Sequence, residues 1–378
     1  MKEIKDAKRI VFKFGTNVLR NDEKDISLSR IYSFIEDIAK LHKQGKEIII
    51  VTSGAVGLGA KKVGVASTDD IIVKQACAAI GQGQLMSIYE HGFSKYDINT
   101  AQILLTADDF GQRIKYLNLS SVLNEILNLK VIPVINQNDT VSTEELEELI
   151  HSAIEVNFSD NDKLSALVAS KLDADVLVIL SDIDGLFDDN PKTNPDAKII
   201  HVVKEVTEDI ENMGHEATQG GRGGMKTKLE AAKVVTRSGG FVVIANGKTP
   251  QIIKQIFEDE SVGTLFLPTE ELSEKRRWIA YATNITGQIV VNSGAKKALT
   301  KKDSSLLAIG VVDIKGDFLK GDVVSILDEE ENEIARGVVN YNCKDCRSIM
   351  GQHSDKIAEI LGYKNYDAII TRDNIVLL

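Results

Sequence analysis

Ile10-Val11-Phe12-Lys13-Phe14-Gly15-Thr16-Asn17 begins as a strand-like apolar run and ends on a charge, a glycine, a hydroxyl and an amide. Four later stretches repeat its first half: Glu47 to Thr52, Val131 to Ile135, Val176 to Leu180 and Phe241 to Ala245 are short runs rich in Val and Ile. Such runs suit strands buried on both faces of a parallel sheet. Helical spacing fills the gaps. Leu28, Ile31, Phe34, Ile35, Ile38 and Leu41 recur at that spacing, and Gly45 follows as a stop before the next strand. Strand and helix alternate over about the first 265 residues, which predicts a doubly wound α/β sheet with helices on both sides, a three-layer αβα sandwich.

Composition narrows the setting. The chain has 378 residues, 43% hydrophobic and 27% charged, as expected of a globular protein of two or three domains. A net charge of −11 argues against general affinity for nucleic acid or anionic membrane. No apolar run approaches the roughly 18 residues of a membrane span. The charged stretch Met1 to Arg9 lacks a signal-peptide core, so a cytoplasmic location is expected. Three cysteines make no disulfide framework, and Cys343-x-x-Cys346 has no second pair to complete a zinc site. They read as ordinary thiols.

In a doubly wound sheet, ligands sit at the carboxyl ends of the strands. The residues there form a consistent polar set: Lys13 to Asn17, then Thr52-Ser53-Gly54-Ala55-Val56-Gly57, then Asn136-Gln137-Asn138-Asp139-Thr140, then Ser181-Asp182-Ile183-Asp184-Gly185-Leu186-Phe187. Further on, Gly220-Gly221-Arg222-Gly223-Gly224-Met225-Lys226-Thr227-Lys228 runs into a helical segment, Leu229 to Ser238. Glycines let backbone N–H groups close on an anion, and a helix N-terminus adds the positive end of its dipole. No register of this loop gives a Walker A element. Gly57-Leu58-Gly59 opens like a dinucleotide fingerprint, but Lys62 stands where its third glycine belongs.

Taken together, Lys13-Phe14-Gly15-Thr16, Val51 to Ala55, Asn136 to Asp139, Asp160-Asn161-Asp162-Lys163-Leu164-Ser165-Ala166, Ser181 to Leu186 and Gly223 to Lys228 resemble the ordered motifs of the amino acid kinase family. Within it, the resemblance is strongest to the members that phosphorylate the side-chain carboxylate of L-glutamate at the head of proline biosynthesis. It implies ATP as phosphoryl donor and Mg²⁺ held mainly by phosphates and water, with no metal site assigned to protein side chains. Lys13 and Lys228 match the lysines that steady the transferring group, and Asp162 matches the aspartate that organises them. Ser53, Gly54, Ala55, Asp139 and Asn161 match glutamate-binding positions. Lys13, Ser181, Asp182 and the segment Arg222, Gly223, Gly224, Met225, Lys226, Thr227 and Lys228 match nucleotide-binding ones. The resemblance also implies a homo-oligomer, feedback inhibition by proline and a link to a reductase that consumes γ-glutamyl phosphate. N-acetylglutamate and aspartate remain alternative acids; the match around Asp139 and residues 160–162 favours glutamate.

Glu144-Glu145-Leu146-Glu147-Glu148-Leu149 is an acidic, helical-looking insertion, a lid, an oligomer contact or, by default, a solvated helix; Ser159 stands where glycine is common, and Arg222 stands where a small residue is usual. A catalytic domain over 1–268, a charged linker over 269–280 and a β-barrel-like domain over 281–378 are expected. In the last, Gly287 to Val291, Ala308 to Ile314, Asp322 to Leu327 and Ile334 to Val339 read as strands. Gly294 to Leu299, Ser304 to Leu307 and Gly316 to Gly321 resemble a PUA domain. Residues 283–378 carry 12 Lys and Arg against 14 Asp and Glu, a weak footprint for RNA binding. A structural or regulatory role fits better than an RNA-associated one.

Overall fold

Side chains alternate across a strand, and in β1 (Arg9–Phe14) that alternation assigns Ile10, Phe12 and Phe14 to one face and Val11 and Lys13 to the other. The computed structural model describes residues 1–378 except 22, 24, 66–69, 107, 112, 143–160, 192, 215–223, 259–260, 270–273, 282–284 and 303. The chain divides into two units, the first holding residues 1–109 and 114–271 and the second residues 110–113 and 272–378. The acidic stretch 144–149, Ser159, Asp160 and Gly220 to Gly223 lie outside the described residues. No helix among the described residues is long and apolar enough to cross a membrane.

Among the described residues, the first unit is built on an eight-stranded sheet. Its other strands are β2 (Glu47–Val51), β3 (Thr100–Leu105), β4 (Ile132–Gln137), β5 (Val176–Ser181), β6 (Val202–Val203), β7 (Phe241–Asn246) and β8 (Thr264–Phe266). Their order is β3-β4-β2-β1-β5-β7-β8-β6, and every pairing is parallel except β7 with β8. On one face Phe14 stacks on Phe34 of the Leu28–Lys43 helix at 5.0 Å between rings, and Phe12 meets Phe257 edge-on at 6.2 Å. Burying each such ring contributes about 1.5–3 kcal/mol. The helices Asn161–Lys171 and Met225–Thr236 pack against each other, the first on β1 and β5 and the second on β7. The expected αβα layering is thus realised.

All five expected strands are present within a residue or two, and Gly45 follows its helix at φ +88°, a left-handed conformation natural to glycine. Three strands were not anticipated: β3, β6 and β8. Among the described residues β3 is an edge strand paired with β4, and Gln102 interrupts its apolar run. β6 and β8 span two and three residues, too short to carry a period.

Backbone contact fixes one helix pair of this unit. A Cβ at Gly59 would lie 1.8 Å from the Cys77 carbonyl oxygen, and one at Gly81 would lie 1.9 Å from that of Ala55. The helices Ala55–Val63 and Ile71–Ser94 therefore meet where no side chain fits.

The second unit carries a five-stranded sheet in the order β10-β9-β11-β12-β13. Its strands are β9 (Gly287–Val291), β10 (Val311–Gly316), β11 (Val323–Leu327), β12 (Glu333–Val338) and β13 (Ile375–Leu377), antiparallel except where β11 meets β9. The expected strand from Ala308 opens instead as a short 3-10 turn, Ala308–Gly310. A helix over Glu274–Ala280 packs on β12 and β13. Cys343 and Cys346 are free thiols in the core of this unit, and burial, with Cys343 and Asp345 nearby, pushes the Cys346 thiol up to about 12. It is protonated at neutral pH.

Candidate active site

Four strand ends lie side by side in the order β4-β2-β1-β5. Lys13 is in register with Val51 on one side and Ile179 on the other, so its side chain leaves the middle of this row. It leaves on the face opposite the Phe12 and Phe14 rings, the face covered by the Asn161–Lys171 helix. Asp162 is the second residue of that helix and is 0% exposed.

Lys13 Nζ lies 2.6 Å from Asp162 Oδ1 and Lys228 Nζ lies 3.1 Å from Oδ2. Thr227 Oγ1 also donates to Oδ2, at 3.0 Å. Gly224 caps the Met225–Thr236 helix that brings Thr227 and Lys228. Burial pushes the Asp162 carboxyl up, yet the two ammonium groups outweigh it and hold it at about 2. Asp162 is thus an anion at neutral pH, in contact with two ammonium groups.

The flanks of this cluster are polar. Gly54, at φ +104°, caps the Ala55–Val63 helix in a conformation that suits glycine, while Ser53 Oγ donates to the Phe14 carbonyl at 2.8 Å and ties the ends of β1 and β2 together. Asn161 Nδ2 donates to the Thr52 carbonyl at 2.8 Å and to Asn136 Oδ1 at 3.3 Å. This leaves Asn161 Oδ1 buried and without a partner among the described residues. Asn136 Nδ2 donates in turn to Gln82 Oε1 at 2.9 Å. Thr52 Oγ1 is 2.8 Å from the hydroxyl of Tyr89, a phenol that burial pushes well up. Asp139 is half-buried and lines a cavity of about 300 Å³ with Gln82, Gln102, Asn138 and Thr140.

On the β5 side, Ser181 Oγ donates to Asp182 Oδ1 at 3.3 Å and Asn17 Nδ2 donates to Oδ2 at 3.0 Å. Burial pushes the Asp182 carboxyl up, but the Asn17 amide, its own backbone N–H and Ser181 bring it below its ordinary value, helped by the Lys228 charge. Lys226 is exposed whereas Lys228 is buried. Arg222 and Gly223 lie outside the described residues. The structure therefore gathers Lys13, Asp162, Thr227 and Lys228 into one cluster, with Asn161 beside them and Ser53, Gly54 and Ala55 at the neighbouring strand end. Gln82 and Tyr89 were not anticipated; both lie inside a long helix, and no local motif marks them.

Residues 8–246 match the amino acid kinase family and residues 287–361 the PUA domain. The chain belongs to the amino acid kinase family. Among its curated relatives are the Glutamate 5-kinase of Thermoanaerobacter sp. (strain X514), 43% identical over 373 residues and matched over 98% of both chains, and the Glutamate 5-kinase of Methanosarcina acetivorans, 43% identical over 384 residues, or 99% of this chain and 97% of that one. Carbamate kinase from Giardia lamblia bound to AMP-PNP shares the fold, with a TM-score of 0.51 at 14% identity over 70% of this chain and all of that one.

Proposed function

We propose that the chain transfers the γ-phosphoryl group of ATP to the side-chain carboxylate of L-glutamate, giving γ-glutamyl phosphate and ADP at the entry to proline biosynthesis. The observation that carries this reading is the buried cluster in which Lys13 and Lys228 flank Asp162, together with full-length similarity to proteins named Glutamate 5-kinase. A glutamate side chain with an ordinary pKa near 4.3 is already ionised at neutral pH, so its oxygen attacks Pγ with no base to remove a proton. Asp162, held at about 2, accordingly has no acid–base part. The Pγ–O bond to the ADP oxygen breaks as the new one forms. Lys13 and Lys228 offset the charge shared among the oxygens and keep two repelling anions in line.

Ser53, the Gly54 and Ala55 backbone, Asp139 and Asn161 hold the amino acid, Asp139 pairing with its ammonium group. Ser181, Asp182 and the stretch from Arg222 to Lys228 hold the nucleotide. Mg²⁺ would be held mainly through the nucleotide phosphates and water and would screen their charge, with no protein side chain assigned to it; Asp162 is already committed to two ammonium groups. A cytoplasmic homo-oligomer, inhibition by proline in the glutamate pocket and delivery of the acyl phosphate to a reductase complete the reading on the strength of the family resemblance.

Hydroxylamine trapping tests it. With ATP and Mg²⁺, hydroxamate is expected from L-glutamate and not from N-acetylglutamate or aspartate, and Lys228→Ala should abolish it. Product from another acid, or none, overturns the assignment.

A further inference from the structure

The three carboxamides beside the cluster form a chain with a fixed direction. The Thr52 carbonyl can only accept, so Asn161 must turn Nδ2 toward it. The same Nδ2 then faces Asn136 Oδ1, which turns Asn136 Nδ2 onto Gln82 Oε1. The far end is thereby determined: Gln82 Nε2 is a donor, buried, with no partner among the described residues, on a side chain of a residue 9% exposed. At the near end the unanswered group is an acceptor, Asn161 Oδ1. A buried donor and a buried acceptor left open on one hydrogen-bonded chain are costly in an empty protein and complementary to a ligand carrying both signs.

Gln82 lines the cavity that Asp139 also lines. An amino acid bears its ammonium and its α-carboxylate on the same carbon, so a carboxylate that takes the first and a donor that takes the second must share one pocket. The backbone contacts at Gly59 and Gly81 fix the helix bearing Gln82 against the helix that begins beside Gly54. The donor is therefore held in place before any ligand arrives.

We infer that Gln82 is a specificity-determining residue: its Nε2 donates to the α-carboxylate of the amino acid substrate, and Asn136 positions it. This rests on the glutamate kinase reading above. L-isoglutamine, in which the α-carboxylate is an amide while the ammonium and γ-carboxylate are kept, is the probe. It is compared with L-glutamate as substrate, or as competitor where turnover is slow. In Gln82→Glu the donor becomes an acceptor that repels a carboxylate and welcomes an amide, so the preference for glutamate over isoglutamine should fall about 10- to 100-fold through KM for the amino acid, with KM for ATP unchanged. Gln82→Leu should weaken glutamate with no gain for isoglutamine. The ratio is internal to each preparation, so partial unfolding does not move it. An unchanged ratio in both variants overturns the inference, as does an equal loss for both ligands. A wild-type protein that forms no hydroxamate from glutamate overturns the underlying function, a failure visible before any substitution is made.

Discussion

Asp162 in the first unit and Asp328 in the second are both buried carboxylates held at about 2, and they reach that state by different routes. Asp328 lies in the turn between β11 and β12. Lys296 Nζ approaches it at 2.7 Å, and the backbone N–H groups of Asn332 and Glu330 donate to Oδ1 at 2.9 and 3.0 Å. Lys296 is the first cause of its low pKa and the Asn332 N–H the second. The Lys296 side chain is 44% exposed, so much of that pairing is made in water. Among the described residues, Asp162 meets Lys13 at the end of β1 and Thr227 and Lys228 of the Met225–Thr236 helix. Asp328 thus combines a half-exposed lysine with N–H groups of its own turn, whereas Asp162 faces two buried ammonium groups brought by separate elements.

Breaking each carboxylate should separate the two arrangements. Asp162→Asn leaves Lys13 and Lys228 buried around a neutral group, so kcat should fall about 10³-fold and unfolding in urea should come about 3–5 kcal/mol more easily. Activity within tenfold of wild type would erase the distinction. Gly59→Ala tests the support behind the site; its methyl meets the Cys77 carbonyl at 1.8 Å, and the helix pair must part at a cost of about 1–3 kcal/mol, read by calorimetry. Asp328→Asn should lower the melting temperature by a few degrees and leave hydroxamate formation unchanged, because the turn keeps an oxygen acceptor and loses only the ion pair.

The acid limb gives the smallest effect. Both carboxyls titrate near 2 in the folded chain against about 3.9 unfolded, so between about pH 4 and 2 the unfolded chain binds more protons and stability falls as pH falls. Asp328→Asn should flatten the slope of melting temperature against pH in that window while the part due to Asp162 persists. A slope unchanged by the substitution would mean that the Asp328 carboxyl is not held below its ordinary value in the folded chain.

The sheet was legible because its central strands are buried on both faces and carry runs of apolar residues, which only Lys13 interrupts near the end of β1. β3 escaped because an edge strand tolerates Gln102 in its middle. The loop residues at the strand ends were legible as a set, since the topology collects them, but the pairing of Lys13 with Asp162 is not written in any local spacing; family resemblance supplied it. Gln82 was not legible at all. Its role depends on the direction of a hydrogen-bond chain that starts at the Thr52 carbonyl, and no period or motif encodes that. Gly57-Leu58-Gly59, seen in sequence only as an incomplete nucleotide motif, includes a glycine that lets two helices touch.

The alternation along β1 also governs which gene-level changes the protein survives. A deletion of one codon between Ile10 and Lys13 changes composition by a single residue, yet it carries the lysine to the opposite side of the sheet, among Phe34, Phe257 and their neighbours. Substitutions in this strand are graded in their consequences; loss or gain of one residue is all or nothing.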